Sequence, residues 1–293
     1  NIKEKLMSKL SDISYIKELM SKHGTNFSKS LGQNFLINPN VCPKMAENCD
    51  GENGVIEVGT GVGVLTYELS QVSKKVVAVE LDKKLLPILE ESLSDCDNVK
   101  IINNDILKID LHKLIEEEFG GEKVSVCANL PYYITSPVIM RLLEEKLPLK
   151  AITVMVQKEA ATRLCAEPGT KDCGAISAAV RYYCEPEILF QVGRGSFMPS
   201  PKVDSTVIKL NVLDKPPVDV ADQKTFFKVV KSSFAQRRKT ILNSLASGMA
   251  IPKDELKIAL ATAEIEENKR GEALSMEKLA RLSNAIFERT IIK

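Results

Sequence analysis

Cys127-Ala128-Asn129-Leu130-Pro131-Tyr132-Tyr133 places an amide, a backbone carbonyl and a flat ring directly after the apolar run Val124 to Ala128. The run reads as a buried strand. In open α/β sheets, ligands sit outside the carboxyl ends of the strands, so this is where chemistry would take place. Pro131 has no N–H and a fixed φ, which stiffens the turn. It also pushes Leu130 toward extended backbone, which lets the Leu130 carbonyl point out of the sheet. The Asn129 side-chain oxygen and the Leu130 carbonyl then suit the two hydrogens of an exocyclic amine, with Tyr132 stacked on the ring that carries it. The plainer alternative is a strand-ending proline turn with a packed tyrosine.

Gly54 to Thr66 reads as a strand, a glycine-rich turn and a helix start. Gly59, Gly61 and Gly63 follow a G-x-G-x-G spacing, not the G-x-G-x-x-G of dinucleotide binders. Glycine permits the tight turn and lets the backbone approach a ligand. A second strand, Lys75 to Val79, leads to Glu80, which lies 21 residues after Gly59. An acidic residue at that distance commonly binds both hydroxyls of a ribose. A third strand, Val99 to Ile102, leads to Asp105, which can accept from an adenine amino group. Either acid alone could be a solvated strand end. Three successive strands with suitable polar groups at their carboxyl ends describe an adenosine-shaped site. No P-loop lysine is present, so phosphate is not its expected feature.

Phe197-Met198-Pro199-Ser200-Pro201-Lys202-Val203-Asp204-Ser205 is a second unusual stretch. Its prolines make a stiff, extended loop. Phe197 either anchors the core or stacks on an extruded base opposite Tyr132. Aromatic–base stacking is worth about 1–3 kcal/mol, comparable with the cost of unstacking a base. Upstream, Ser28 to Leu36 is either a loop before a helix opened by Pro39 and Asn40, or a lid over a cofactor pocket with Lys29 near phosphate. Arg237-Arg238-Lys239 places three cations in a row. Such a run is usually a solvated face; on a net-basic domain it reads as an RNA phosphate contact.

The elements that must hold these groups follow from periodicity and breakers. Asn1 to His23 predicts two short helices, ended by Gly24-Thr25-Asn26. Strands and helices alternate from Gly54 to Val156, which predicts an α/β domain with a parallel sheet. Helices follow at about 157–164 and 175–182, and strands at 187–192 and 207–212. Asp214-Lys215-Pro216-Pro217 is a linker signal, and the chain beyond it reads as all helix, with Ser275 as N-cap of the last one. The expected divisions are a helical extension over 1–26, an α/β domain over 27–213 and a helical domain over 214–293.

The chain has 293 residues, enough for one large domain and a small one. Lys and Arg (40) nearly balance Asp and Glu (39), but from Phe190 to Lys293 there are 18 basic and 12 acidic residues, a weak hint of a polyanion partner. The seven cysteines include no C-x-x-C pair, and there are only two histidines, which argues against a zinc site. Several cysteines lie in apolar runs, as free thiols of a reducing, cytoplasmic setting do. No long apolar segment suits a membrane, and no signal-peptide h-region is read near the start.

Together these motifs resemble the ribosomal RNA adenine dimethyltransferases, and the bacterial small-subunit branch most of all. The resemblance runs from about Ser28 to the last helix. It is carried by Leu31-Gly32-Gln33-Asn34-Phe35-Leu36, Glu57-Val58-Gly59-Thr60-Gly61-Val62-Gly63, Glu80, Asp105, Asn129-Leu130-Pro131-Tyr132, Phe197 to Ser205 and Gln236-Arg237-Arg238-Lys239. The glycine motif alone is common to many methyltransferases. Asn-Leu-Pro-Tyr joined to Phe-x-Pro-x-Pro-Lys-Val-Asp-Ser is far more specific. The resemblance implies a Rossmann-like class I methyltransferase fold with a seven-stranded, mostly parallel sheet and a small all-α C-terminal domain. It implies S-adenosyl-L-methionine as donor, S-adenosyl-L-homocysteine as product and no metal.

The implied cofactor set is Gln33, Asn34, Leu36, Gly59, Gly61, Gly63, Glu80, Leu81, Asp105, Ile106 and Asn129. The implied catalytic set is Asn129, Leu130, Tyr132 and Phe197, and the RNA contacts are Lys29, Lys202, Arg237, Arg238 and Lys239. The implied substrate is two adjacent adenines in a hairpin loop near the 3′ end of small-subunit (16S) ribosomal RNA, each dimethylated, within a pre-ribosomal small subunit and by a monomeric enzyme. Thr60, where some relatives carry proline, is expected to be neutral. The alternatives are an erythromycin-resistance methyltransferase of large-subunit RNA, which Lys-Val-Asp-Ser and Gln-Arg-Arg-Lys disfavour, and a mainly non-catalytic assembly factor. An NAD-dependent oxidoreductase is disfavoured by the glycine spacing.

Overall fold

The computed structural model describes residues 12–25 and 34–291. Helix α1 spans Ile13–Lys22 and buries Ile16, Leu19 and Met20. Asp12 caps it, its carboxylate accepting from the N–H groups of Ser14 and Tyr15 at 2.7 and 3.3 Å. The first of the two expected short helices falls largely on residues 1–11, which lie outside the described residues.

The chain continues through β1 (Phe35–Leu36), α2 (Val41–Glu47), β2 (Val55–Val58), α3 (Val64–Val72), β3 (Val76–Glu80), α4 (Leu86–Ser92) and β4 (Val99–Asn103). Then come α5 (Leu111–Phe119), β5 (Val124–Asn129), α6 (Thr135–Glu144), β6 (Leu149–Gln157), α7 (Lys158–Cys165) and α8 (Ala175–Tyr183). Strands β7 (Cys184–Val192), β8 (Phe197–Met198) and β9 (Ser205–Val212) precede the helices α9 (Gln223–Phe234), α10 (Ile241–Met249), α11 (Lys253–Thr262) and α12 (Met276–Ile291).

Seven strands form one sheet in the order β4-β3-β2-β5-β6-β9-β7. Strands β2 to β6 run parallel, and β9 runs antiparallel to β6. Every residue of β2 and β3 is buried, as expected for strands covered on both faces. This explains their unbroken apolar character and makes Glu57, midway along β2, an exception. The register places Val58 beside Val79 and Ala128, and Glu80 beside Asn103. The polar residues that follow these strands therefore emerge along one sheet edge. A separate two-stranded ladder pairs β1 with β8, Leu36 lying opposite Phe197.

The chain divides into two compact units, Asn1–Ala161 with Glu187–Val212, and Thr162–Pro186 with Leu213–Lys293. The second unit thus takes in a segment that its position before the linker signal assigns to the α/β domain. The reason is the apolar face of α8. Tyr182 packs at 5.0 Å from the Phe226 ring, and Tyr183 stacks on Phe227 at 5.5 Å. Phe226, Leu245, Leu256, Leu279 and Leu282 complete that helical core. Gly271 lies so close to α9 that a Cβ there would be 2.3 Å from the Ser233 carbonyl oxygen.

Candidate active site

A cavity of about 360 Å³ opens at the carboxyl ends of β2, β3, β4 and β5. Its wall includes Asn34, Leu36, Gly59, Gly61, Glu80, Leu81, Asp105, Ile106, Asn129, Leu130, Tyr132 and Phe197. Residues spread over more than 160 positions of sequence thus meet at one place. Gln33 and Lys29 lie outside the described residues. Gly63 does not line the cavity.

Gly59 and Gly61 adopt left-handed φ values of 74° and 57°, which any L side chain would resist. A Cβ on Gly59 would meet nothing within 4 Å. Its role is therefore the turn and an open approach of backbone to whatever fills the cavity. Gly63 serves packing. It starts α3 with φ 93°, and a Cβ there would lie 3.1 Å from Ser92 Oγ and 3.3 Å from Leu89.

Glu80 is buried, 5% exposed, and its carboxylate is held on both oxygens. Oε2 accepts from the Thr60 N–H at 2.9 Å and from Thr60 Oγ1 at 2.8 Å, and Oε1 accepts from the Asp82 N–H at 2.8 Å. Thr60 is therefore not a neutral position. A proline there would lack the N–H and the hydroxyl that orient the carboxylate. Oε2 thus has both its acceptor sites used, and Oε1, which accepts once, keeps capacity for a further donor such as a ribose hydroxyl.

The next strand end is built by its own loop. Asn103 Nδ2 donates to the Glu80 carbonyl at 2.7 Å. Asp105 Oδ1 accepts from the Leu107 N–H at 2.9 Å, and its Oδ2 faces Lys108 Nζ at 3.5 Å. Arg141, on α6, donates to the carbonyls of Ile106 and Ile109 and to Glu145. This ties the Asp105 loop to the helix that follows Asn129–Tyr132. Ile106 is buried, whereas Leu81 is half exposed at the rim.

Asn129 is the last residue of β5, opposite Met155. Leu130 as a whole residue is 1% exposed and lies in the cavity wall. Pro131 to Ile134 form a turn closed by the Ile134 N–H on the Pro131 carbonyl at 3.1 Å. Tyr132 is half-buried, and its hydroxyl lies 3.1 Å from Ser205 Oγ. Phe197 is 3% exposed and belongs to both the hydrophobic core and the cavity wall. Phe197 thus anchors the core and also lines the cavity.

Asp204 explains part of the Phe-x-Pro-x-Pro-Lys-Val-Asp-Ser stretch. Its Oδ1 accepts from the Arg194 N–H at 2.9 Å and its carbonyl from the Lys158 N–H at 3.0 Å. Ser205 steadies Tyr132, and Lys202 is exposed. In the second unit, Arg238 and Lys239 are exposed after α9. Arg237 also makes structural contacts, donating to the Lys171 carbonyl at 2.9 Å and facing Glu272 at 3.7 Å.

Glu57 belongs to the glycine motif, yet the motif alone gives it no role. It is fully buried, lines the cavity, and among the described residues neither carboxylate oxygen has a hydrogen-bond partner. Burial drives its pKa up to about 8; the Thr66 hydroxyl works against this rise without completing a hydrogen bond, and the Glu80 charge adds to it. An acid inside an otherwise apolar strand is the sequence signal for this residue. Thr60, Ser205 and Arg141 carry no comparable signal, because their partners are distant in sequence. Among the described residues, no cluster of three or more His, Cys, Asp or Glu side chains could hold a metal ion.

A mostly parallel seven-stranded sheet, with a glycine turn after β2 and a clamped acid ending β3, defines a Rossmann-like methyltransferase. The chain belongs to the ribosomal RNA adenine dimethylase family, which it matches over residues 24–288. It is 49% identical over 286 residues to ribosomal RNA small subunit methyltransferase A of Alkaliphilus oremlandii (strain OhILAs), covering 97% of this chain and 100% of that one. It is 50% identical over 283 residues to the protein of the same name from Clostridioides difficile (strain 630), covering 96% and 98%. Among solved structures it is similar to the 23S rRNA methyltransferase ErmE, with a TM-score of 0.68 and 25% identity over 87% of this chain and 100% of that one.

Proposed function

We infer that this protein dimethylates adenine at the exocyclic nitrogen in ribosomal RNA, using S-adenosylmethionine, and that its targets are two adjacent adenines in the 3′-terminal hairpin loop of small-subunit RNA. The observation that carries the reading is Asn129-Leu130-Pro131-Tyr132 at the mouth of a cavity whose other strand ends suit an adenosine. The choice of small-subunit RNA rests on likeness. Identity is 49–50% to proteins named for the small subunit and 25% to one named for 23S rRNA. A pre-ribosomal small subunit in the cytoplasm is the proposed partner, and a monomer the proposed working form.

The cavity residues fit the donor. Gly59 offers open backbone, Glu80 Oε1 keeps a lone pair for a ribose hydroxyl, and Asp105, in the cavity wall, is the acid assigned to an adenine amino group. Leu81 and Ile106 offer apolar faces, and Asn34, Leu36 and the buried Glu57 carboxyl complete the wall. When bound, S-adenosylmethionine supplies a methyl group already activated by the sulfonium charge.

The remaining work falls to this chain. An adenine amino nitrogen is a poor nucleophile because its lone pair is delocalised into the ring. Accepting its two hydrogens on Asn129 Oδ1 and the Leu130 carbonyl favours a pyramidal nitrogen with a directed lone pair. Tyr132, steadied by Ser205, and Phe197 hold the ring. Positioning of this kind supplies most of the rate, with no strong base, and the proton leaves to water afterwards. After one methyl only one N–H remains, so the pocket must accept a rotated amine for the second. Lys202, Arg238 and Lys239 are the exposed cations assigned to RNA phosphate, with Arg237 in a partly structural role.

Transfer of labelled methyl to undermethylated small subunits, naked small-subunit RNA and large subunits tests the reading. Label in dimethyladenine of small-subunit RNA is expected. Label on large-subunit RNA would favour the resistance-type reaction, and donor binding without any transfer would favour a mainly non-catalytic assembly role.

A further inference from the structure

We propose that Tyr133 forms a second nucleobase subsite, stacking on the base next to the one that enters the cavity; this rests on the RNA substrate inferred above. Two tyrosines occupy the central positions of the Pro131–Ile134 turn, and their surroundings differ. Tyr132 is half-buried and tethered to Ser205. Tyr133 is 59% exposed on the wall of the same cavity. Among the described residues its ring pairs with no other aromatic ring and its hydroxyl has no hydrogen-bond partner.

A single exposed apolar side chain needs no explanation. What sets Tyr133 apart is its mounting. The Pro131 carbonyl accepts from the Ile134 N–H at 3.1 Å and from Thr135 Oγ1 at 3.4 Å. The Val138 N–H then donates to the Ile134 carbonyl at 3.0 Å, which begins α6. The turn is thus fixed between a buried strand and a helix, and Pro131 restricts its first torsion. A ring presented on so rigid a mount loses little freedom on stacking.

Chemistry on a base requires taking it out of its stack. That step exposes a face of the neighbouring base as well. A free ring one residue beyond Tyr132 can cover that face and offset the lost base–base stacking. One turn then receives two consecutive unpaired bases, which suits a substrate whose two targets are adjacent. A stacking ring is worth roughly five- to hundredfold in affinity.

The test compares Tyr133→Ala, Tyr133→Leu and Tyr133→Phe with the unaltered protein, measuring S-adenosylhomocysteine affinity and the KM for undermethylated small subunits. Tyr133→Ala should raise the RNA KM about tenfold and leave homocysteine-product affinity within about twofold. Tyr133→Leu keeps apolar bulk without a π-face and should stay weak, while Tyr133→Phe should restore binding. The fluorescence of 2-aminopurine beside the target adenine, in small subunits reconstituted with the substituted RNA, should rise in the Ala variant as stacking is lost. An unchanged KM and fluorescence in Tyr133→Ala would overturn the subsite, as would full rescue by Leu. If the unaltered protein methylates no small-subunit RNA, it is the functional reading beneath the subsite that fails.

Discussion

Replacing Glu57 by Gln probes the least expected feature of the site. The carboxyl is fully buried on β2, and burial lifts its pKa from 4.5 to about 8. A raised carboxyl binds its proton more tightly folded than unfolded. The contribution to stability is therefore fully present below pH 4.5 and is lost as pH rises through about 8. Each tenfold gain in proton affinity corresponds to about 1.4 kcal/mol. Over the whole interval the loss reaches roughly 5 kcal/mol as an upper bound, since a buried site relaxes around a charge. Glutamine has nearly the shape of the neutral acid and does not titrate. Urea unfolding of both proteins at pH 5 to 9 isolates the effect, because groups remote from Glu57 titrate alike in the two. The variant should gain on the parent by about 1.4 kcal/mol for each step of one in pH until about pH 8, and the gap should then level off. Parallel stability profiles would refute the burial argument, and a gap of the opposite slope would mean that Glu57 is held as an anion. Near pH 7, where the parent carboxyl is mostly neutral, Glu57→Gln should bind S-adenosylhomocysteine within a few-fold of the parent.

Other perturbations separate the parts of the molecule. Thr60→Val removes a hydroxyl donor from the buried Glu80 carboxylate, a bond to a charged acceptor worth about 1.5–3 kcal/mol. Calorimetry should show about tenfold weaker S-adenosylhomocysteine binding, with Thr60→Ser near the parent; equal affinities would remove Thr60 from the clamp. Gly271→Ala sets a methyl against the Ser233 carbonyl oxygen, a backbone atom that cannot swing aside. It should cost about 1–3 kcal/mol in thermal unfolding while leaving S-adenosylhomocysteine affinity unchanged, since the cavity is built from the other unit; an unchanged melting temperature would show that α9 yields there.

The ends of β3 and β5 are legible because parallel strands covered on both faces are almost continuously apolar, so Glu80 and Asn129 stand out where each run stops; Asp105 follows the edge strand β4, where Lys100 is exposed, and is marked only by its turn. The pairing of Leu36 with Phe197 is not legible. A two-residue ladder joining segments so far apart leaves no periodic trace. The glycine spacing marks three equal candidates, whereas the fold uses Gly59 and Gly61 at the cavity and Gly63 against α4. The pattern of α8 reveals an apolar face but not its partner, which is why sequence alone groups Thr162–Pro186 with the sheet and not with Phe226 and Phe227. The clamp of Thr60 on Glu80 depends on a contact across 20 residues that neither residue type announces.

The central claim is that the acceptors at the end of β5 direct the amine nitrogen. Single-turnover methyl transfer by Asn129→Ala, measured beside its affinity for S-adenosylhomocysteine, tests it most directly. Loss of one acceptor should slow transfer by about a hundredfold or more, while product affinity falls far less. Near-parental transfer, or a loss of rate matched in full by a loss of affinity, would contradict the assignment.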